Sequence, residues 1–125
     1  MSQAPDSLRF LTSHEWIDAQ TGKVGISDHA QHELSDVVYV ELPKVGAQVT
    51  AGSQIAVVES VKAASDIFAP ASGEVIEVNT ALNDDPSKIN SDPYGQGWIF
   101  KLKLSNPGEV DALLDAAAYA KHIGS

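Results

Sequence analysis

Ile55-Ala56-Val57-Val58-Glu59-Ser60-Val61-Lys62-Ala63-Ala64-Ser65-Asp66-Ile67-Phe68 is the stretch whose reading decides the fold. Residues 55–60 are apolar and β-branched enough to form a buried strand, and residues 66–68 form another. Between them, residues 61–65 carry one charge, Lys62, on an exposed turn. No bulky neighbour bars an enzyme from its amine. Taken alone, Lys62 is an ordinary solvated side chain, because charged residues are mostly exposed.

Working outward, the same strand-and-turn grammar recurs. Residues 8–17 read as a strand, Gln20-Thr21-Gly22-Lys23 as a turn and Val24-Gly25-Ile26 as a short second strand. Ser27 followed by Asp28 starts a short helix that runs to Leu34, with the acidic residue well placed in its first turn. Residues 37–42 form a strand that Pro43 stops. Gly46 and Gly52 mark turns, and so do Pro70 and Gly73, which precede a strand over residues 74–78. Asn83-Asp84-Asp85-Pro86 opens a loop with one helical turn to Ile89. In residues 98–104, Trp98, Phe100, Leu102 and Leu104 face one way and Lys101 and Lys103 the other.

Residues 107–122 read as one C-terminal helix. Asn106 caps it, Pro107 suits its first position and Glu109 stands three residues after the cap. Val110, Leu113, Leu114 and Ala117 supply its packed face. Many short strands with frequent Gly and Pro turns predict an antiparallel β-sandwich or barrel with helices at its ends.

The chain has 125 residues, 43% hydrophobic, enough for one domain spanning residues 1–125 with residues 1–7 flexible. Such a chain buries roughly two-thirds of its unfolded surface. It has no cysteine, which excludes disulfides and thiol chemistry. Eight basic and 17 acidic residues give a net charge of −9. That charge repels nucleic acid and anionic lipid, and it suits docking onto basic patches of other proteins. No apolar run is long enough to span a bilayer, and the N-terminal residues resemble neither a signal nor a transit peptide. The expectation is a bacterial cytoplasmic protein, monomeric in isolation, with a mature mitochondrial-matrix form as the alternative.

Other candidate sites are weaker. His29 and His32 stand about one helical turn apart, but two ligands without a third make a poor metal site. Ser13, His14 and Glu15 cannot form a triad by adjacency, because consecutive side chains on a strand point to opposite faces. Trp98 reads as core, and Gly95-Gln96-Gly97 lacks the strand–helix setting of a phosphate loop. No convergent nucleophile, base and electrophile emerge, so the chain reads as a non-catalytic protein.

Val58-Glu59-Ser60-Val61-Lys62-Ala63-Ala64-Ser65-Asp66 resembles the lipoylation motif of the H-protein of the glycine cleavage system. Five further segments resemble signatures of that family, in its order. They are Ser13-His14-Glu15-Trp16, Val24-Gly25-Ile26-Ser27-Asp28-His29-Ala30-Gln31, Val40-Glu41-Leu42-Pro43, Ser72-Gly73-Glu74-Val75-Ile76-Glu77-Val78-Asn79 and Asp92-Pro93-Tyr94-Gly95-Gln96-Gly97-Trp98. The likeness covers residues 8–119. Ser35 stands where the family commonly has glycine, and the turn between Trp16 and Val24 is shorter than in many relatives.

The resemblance implies a lipoyl/biotinyl-type hammerhead, with lipoate amide-linked to Lys62 and with Glu59 and Asp66 flanking the lysine for recognition. It implies a carrier in glycine catabolism and one-carbon metabolism. A pyridoxal-phosphate glycine decarboxylase would load an aminomethyl group, a tetrahydrofolate-dependent aminomethyltransferase would remove it, and dihydrolipoyl dehydrogenase would reoxidise the dithiol. A lipoate-attaching enzyme is a fourth partner. It also implies a cleft in which Ser13 and Glu15, sharing one strand face, and Asp66 receive the loaded arm. A lipoate relay serving 2-oxo acid dehydrogenases would need the same Lys62. A biotinyl carrier usually flanks its lysine with methionines, whereas the neighbours here are Val61 and Ala63. The lipoyl domains of oxo-acid dehydrogenases lack the C-terminal helix and the Ser13-His14-Glu15-Trp16 segment.

Overall fold

A computed structural model describes residues 7–124. The expected flexibility of residues 1–7 therefore lies outside the described residues, apart from the exposed Ser7. The strands are β1 Arg9–Phe10, β2 Glu15–Ile17, β3 Lys23–Ile26, β4 Val37–Glu41, β5 Gln48–Val49, β6 Gln54–Ser60, β7 Ala64–Phe68, β8 Gly73–Val78 and β9 Phe100–Leu104. The helices are α1 Asp28–Leu34, α2 Ala81–Asp84, α3 Lys88–Ser91, α4 Gly108–Asp111 and α5 Ala116–His122.

Two antiparallel sheets form a sandwich, one ordered β1-β2-β3-β9-β8-β5 and the other β4-β6-β7. The main core lies between them. Val24, Ile26, Val75, Phe100 and Leu102 come from the larger sheet, and Val40, Ala56, Val58 and Ile67 from the smaller. Alternation explains the split: in β9, Phe100 and Leu102 are buried while Lys103 is exposed. A second cluster of Leu8, Phe10, Trp16 and Tyr119 closes the end of the molecule under α5. Trp16 lies flat on Gly25, where a Cβ would stand 2.7 Å from its ring. Its indole N–H is shared by the carbonyls of Ile26 and Pro93. This places the Asp92-to-Trp98 segment over the first hairpin.

Three sequence expectations need correction. Residues 8–17 do not form one strand. Leu11 N–H donates to the Glu15 carbonyl and His14 N–H to the Leu11 carbonyl, which folds residues 11–14 into a tight turn between β1 and β2. Likewise, residues 107–122 are not one helix. Phe10 and Leu114 exchange both backbone hydrogen bonds, pulling Leu114 out of helical geometry. Asp115 then caps a new helix by accepting from Ala118 N–H at 2.8 Å. The expected capping box is absent as well, because Glu109 accepts instead from the backbone and hydroxyl of Ser72. By contrast, Ser27 caps α1 as its sequence suggests, accepting from Ala30 N–H.

Candidate functional site

The lysine turn is built by Ser60. Its hydroxyl accepts from the amides of Lys62 and Ala63, each at 3.1 Å, and its backbone N–H donates to the Ala63 carbonyl at 2.8 Å. Val61 N–H donates to the Asp36 carbonyl at 3.0 Å, which ties the turn to the link between α1 and β4. Lys62 is exposed, and its Nζ donates to the Glu33 carbonyl at 2.9 Å. That carbonyl lies in the last turn of α1, the negative end of the helix dipole. The exposed alanines 63 and 64 leave the amine open.

Glu59 pairs with Ala64 and Asp66 with Val57 across the β6–β7 ladder. Glu59 and Asp66 therefore sit diagonally on one exposed face of the hairpin that carries the lysine turn, about 7–8 Å apart at the backbone. Glu33, Asp36 and Glu41 are also exposed along α1 and β4. The turn stands in an acidic surround.

Ser13 and Glu15 do meet, by another route than a shared strand face. Ser13 belongs to the 11–14 turn, and its hydroxyl donates to Glu15 Oε1 at 2.5 Å. Glu15 Oε2 accepts from Phe68 N–H at 2.7 Å, two residues beyond Asp66 on β7. Instead of lining an open cleft, Glu15 is only 1% exposed. Burial pushes its carboxyl above the usual carboxylate range, and the bonds from Ser13 and Phe68 oppose that rise. Ser13 itself is exposed and lies over the carboxylate.

His29 and His32 do not converge. His29 faces Glu33 at 3.5 Å and His32 faces Asp28 at 3.6 Å. No metal-binding cluster of His, Asp or Glu occurs among the described residues.

Three features of the site escape sequence reading. A register shift between Val37 and Tyr39 leaves Val38 and Tyr39 about half exposed, beside the still more exposed Val61. Strand periodicity cannot signal a bulge of this kind. Ser35 adopts φ +67 and ψ −152, the backbone region that favours glycine, and its carbonyl accepts from Asn90 at 2.8 Å. The third is Tyr119, whose hydroxyl lies 2.7 Å from His14 Nδ1 and 2.6 Å from Ser27 Oγ. These partners are 105 and 92 residues away in sequence, beyond any local pattern.

Residues 8–125 match the family model described as Glycine cleavage H-protein. A glycine cleavage system H protein of Stenotrophomonas maltophilia is 60% identical, with 97% of this chain and 95% of that protein covered. One of Marinobacter nauticus is 51% identical over 100% of this chain and 98% of its own length. The crystal structure of a glycine cleavage system H protein from Mycobacterium marinum superposes with a TM-score of 0.90 at 42% identity, covering 98% of this chain and 100% of that one.

Proposed function

The chain belongs to the glycine cleavage H-protein family, and from that membership we propose that it carries lipoate, amide-linked to Lys62, among the enzymes of glycine cleavage. The observation that carries the reading is the lysine turn. Lys62 stands exposed between two strands, its backbone fixed by Ser60 and its flanks clear of bulk. A ligase has a hairpin to grip and an exposed amine to acylate, held by one hydrogen bond to the Glu33 carbonyl. Glu59 and Asp66 on the adjoining face give it charged groups to recognise.

When bound, lipoate supplies a reducible disulfide on a long flexible arm, able to take up a one-carbon unit and two electrons. The chain's own residues would then display and shelter. Acylation would remove the Lys62 charge and leave the ε-nitrogen one N–H in place of three, so its hold on the Glu33 carbonyl would weaken. A cationic amine on the cargo would find acceptors in Asp66 and in the Ser13–Glu15 pair, which meets the strand of Asp66 at the Phe68 amide. Hydrogen bonding to a carboxylate favours the protonated amine, and exclusion of water strengthens the effect. Because Glu15 is buried beneath Ser13, it would be open to the arm only where the 11–14 turn gave way.

The partners in this reading are glycine decarboxylase, aminomethyltransferase, dihydrolipoyl dehydrogenase and a lipoate-attaching enzyme. One carrier visiting several active sites calls for weak, transient docking. The chain acts as a non-catalytic carrier in the bacterial cytoplasm. Among the described residues no helix is long and apolar enough to cross a membrane. Intact-mass analysis with peptide mapping, after co-expression with a lipoate-attaching enzyme, tests the assignment. A lipoyl mass on the peptide carrying Lys62 is expected, and a lipoyl mass elsewhere, or none, overturns it.

A further inference from the structure

Three side chains from distant parts of the chain converge behind the 11–14 turn. His14 ends the turn at φ +86, an unusual conformation for any residue but glycine, and is held there by tertiary contacts. Its Nδ1 lies 2.7 Å from the Tyr119 hydroxyl on α5, and Tyr119 lies 2.6 Å from Ser27 Oγ at the start of α1. The Tyr119 ring stacks on Phe10, with centroids 4.3 Å apart and an interplanar angle of 8°. From the same helix, His122 Nε2 lies 3.1 Å from the Thr12 carbonyl, in the turn itself. Helix α5 thus grips the turn at two points, one on each side of Ser13.

Proton accounting orients the network. Ser27 Oγ already accepts from Ala30 N–H, so its own hydrogen needs an acceptor, and Ser27 is fully buried. The arrangement that satisfies every group runs one way: Ser27 O–H donates to Tyr119, and Tyr119 O–H donates to His14 Nδ1. The reverse direction leaves the Ser27 hydrogen with no acceptor among these groups, in a buried site where an unmade hydrogen bond is costly. His14 must therefore be neutral with its hydrogen on Nε2. Burial pushes the Tyr119 hydroxyl up to about 12, so it remains a donor throughout the neutral range.

We propose that Tyr119 and His14 form a proton-sensitive latch that holds the 11–14 turn, and with it Ser13, over the Glu15 carboxylate. A proton on His14 Nδ1 converts an acceptor into a donor and leaves the Tyr119 or the Ser27 hydrogen without an acceptor among these groups. Most groups facing His14 oppose that proton. From α1 it meets the His29 ring at 4.9 Å, with Glu33 beyond it; from α5 it meets Tyr119 at 5.8 Å and His122 at 6.1 Å. Burial first, then the neighbouring His29 and His122, hold His14 below the usual histidine range, while Glu33 opposes them. The latch is therefore closed near neutrality and opens in mild acid, baring Glu15. Tyr119 and His14 are positioning residues, acting on the Ser13–Glu15 pair and not on any cargo. Their significance for the carrier rests on the reading in which Glu15 receives the arm.

The test uses the full-length unmodified protein, so it is independent of lipoylation. Imidazole nitrogen NMR at neutral pH should find His14 with Nδ1 unprotonated and Nε2 bearing the hydrogen. Amide-exchange protection of residues 11–15, corrected for intrinsic rates, should fall in Tyr119→Phe by about tenfold, while β6 and β7 keep wild-type protection. The Glu15 carboxyl titration should move down toward the ordinary carboxylate range as the turn opens. Wild-type protection of the turn should also fall once the pH drops below the ordinary histidine value of 6.5, a dependence that His14→Asn loses, since Asn tolerates positive φ but does not titrate. A neutral His14 protonated on Nδ1 would overturn the proposal. So would a Tyr119→Phe protein that keeps wild-type turn protection and Glu15 titration. If Tyr119→Phe fails to fold, the tautomer and the His14→Asn comparison still decide.

Discussion

The ammonium of Lys62 donates to the Glu33 backbone carbonyl at 2.9 Å, perching the side chain on the C-terminal end of α1. Lys62→Arg keeps a cation there but presents a guanidinium that lipoylating enzymes should not acylate. The variant should lose the lipoyl mass and support of glycine cleavage. Its urea midpoint should correspond to a stability change within about 0.5 kcal/mol, as for exposed substitutions. A variant that still gains the lipoyl mass refutes the assignment of Lys62.

Glu15 supplies a second prediction, from its burial and its raised carboxyl. A carboxyl raised in the folded state binds more protons there than in the unfolded chain. Its cost to stability is thus fully present above its folded value and vanishes below 4.5, the ordinary value. The wild type should gain stability relative to Glu15→Gln as pH falls from 7 toward 4.5, measured by urea unfolding at a series of pH values. The same variant should be lipoylated normally yet release formaldehyde faster from the isolated, cargo-loaded protein. Wild-type release in Glu15→Gln, Asp66→Asn and the double variant would remove both residues from any sheltering role.

Docking of partners should depend on salt. Glu33, Asp36, Glu59 and Asp66 are exposed on the elements that meet at the lysine turn, and the chain carries −9 overall. Exposed charges are screened beyond about 8 Å at physiological ionic strength. Affinity for at least one enzyme of the system should fall several-fold as salt is raised from about 0.01 to 0.15 M. Isothermal titration across that range checks it, and flat affinity would count against an electrostatic approach.

Ser35 ends α1 at φ +67 and ψ −152, a conformation that costs a non-glycine residue about 1–3 kcal/mol. Ser35→Gly relieves that strain and gives back about 0.5–1 kcal/mol in unfolded-chain entropy. The expected net gain is about 1 kcal/mol in thermal or urea unfolding. Its carbonyl bond to Asn90 involves only the backbone of residue 35 and survives the change. A destabilised Ser35→Gly would mean that the serine side chain contributes something beyond this backbone geometry.

Much of the architecture was legible because its signals are local. β-branched runs punctuated by Gly and Pro mark most of the strands, Ser27 announces its helix through a single side-chain cap, and Lys62 stands out as the one charge on a turn of small residues. Several motifs in order carried the likeness to a family even though one lysine could not. What failed to show in the sequence depended on contacts between remote segments. A sound helical pattern over residues 107–122 is broken because Leu114 finds backbone partners on Phe10, and Glu109 leaves its capping role for Ser72. A polar Glu15 reads as a surface residue until the 11–14 turn and the Phe68 amide close over it. Local propensities are worth tenths of a kcal/mol to about one per residue, so they choose elements wherever nothing opposes them. Buried hydrogen bonds and close packing are stronger and know nothing of sequence distance, and they alone decided which residues lie beneath the turn.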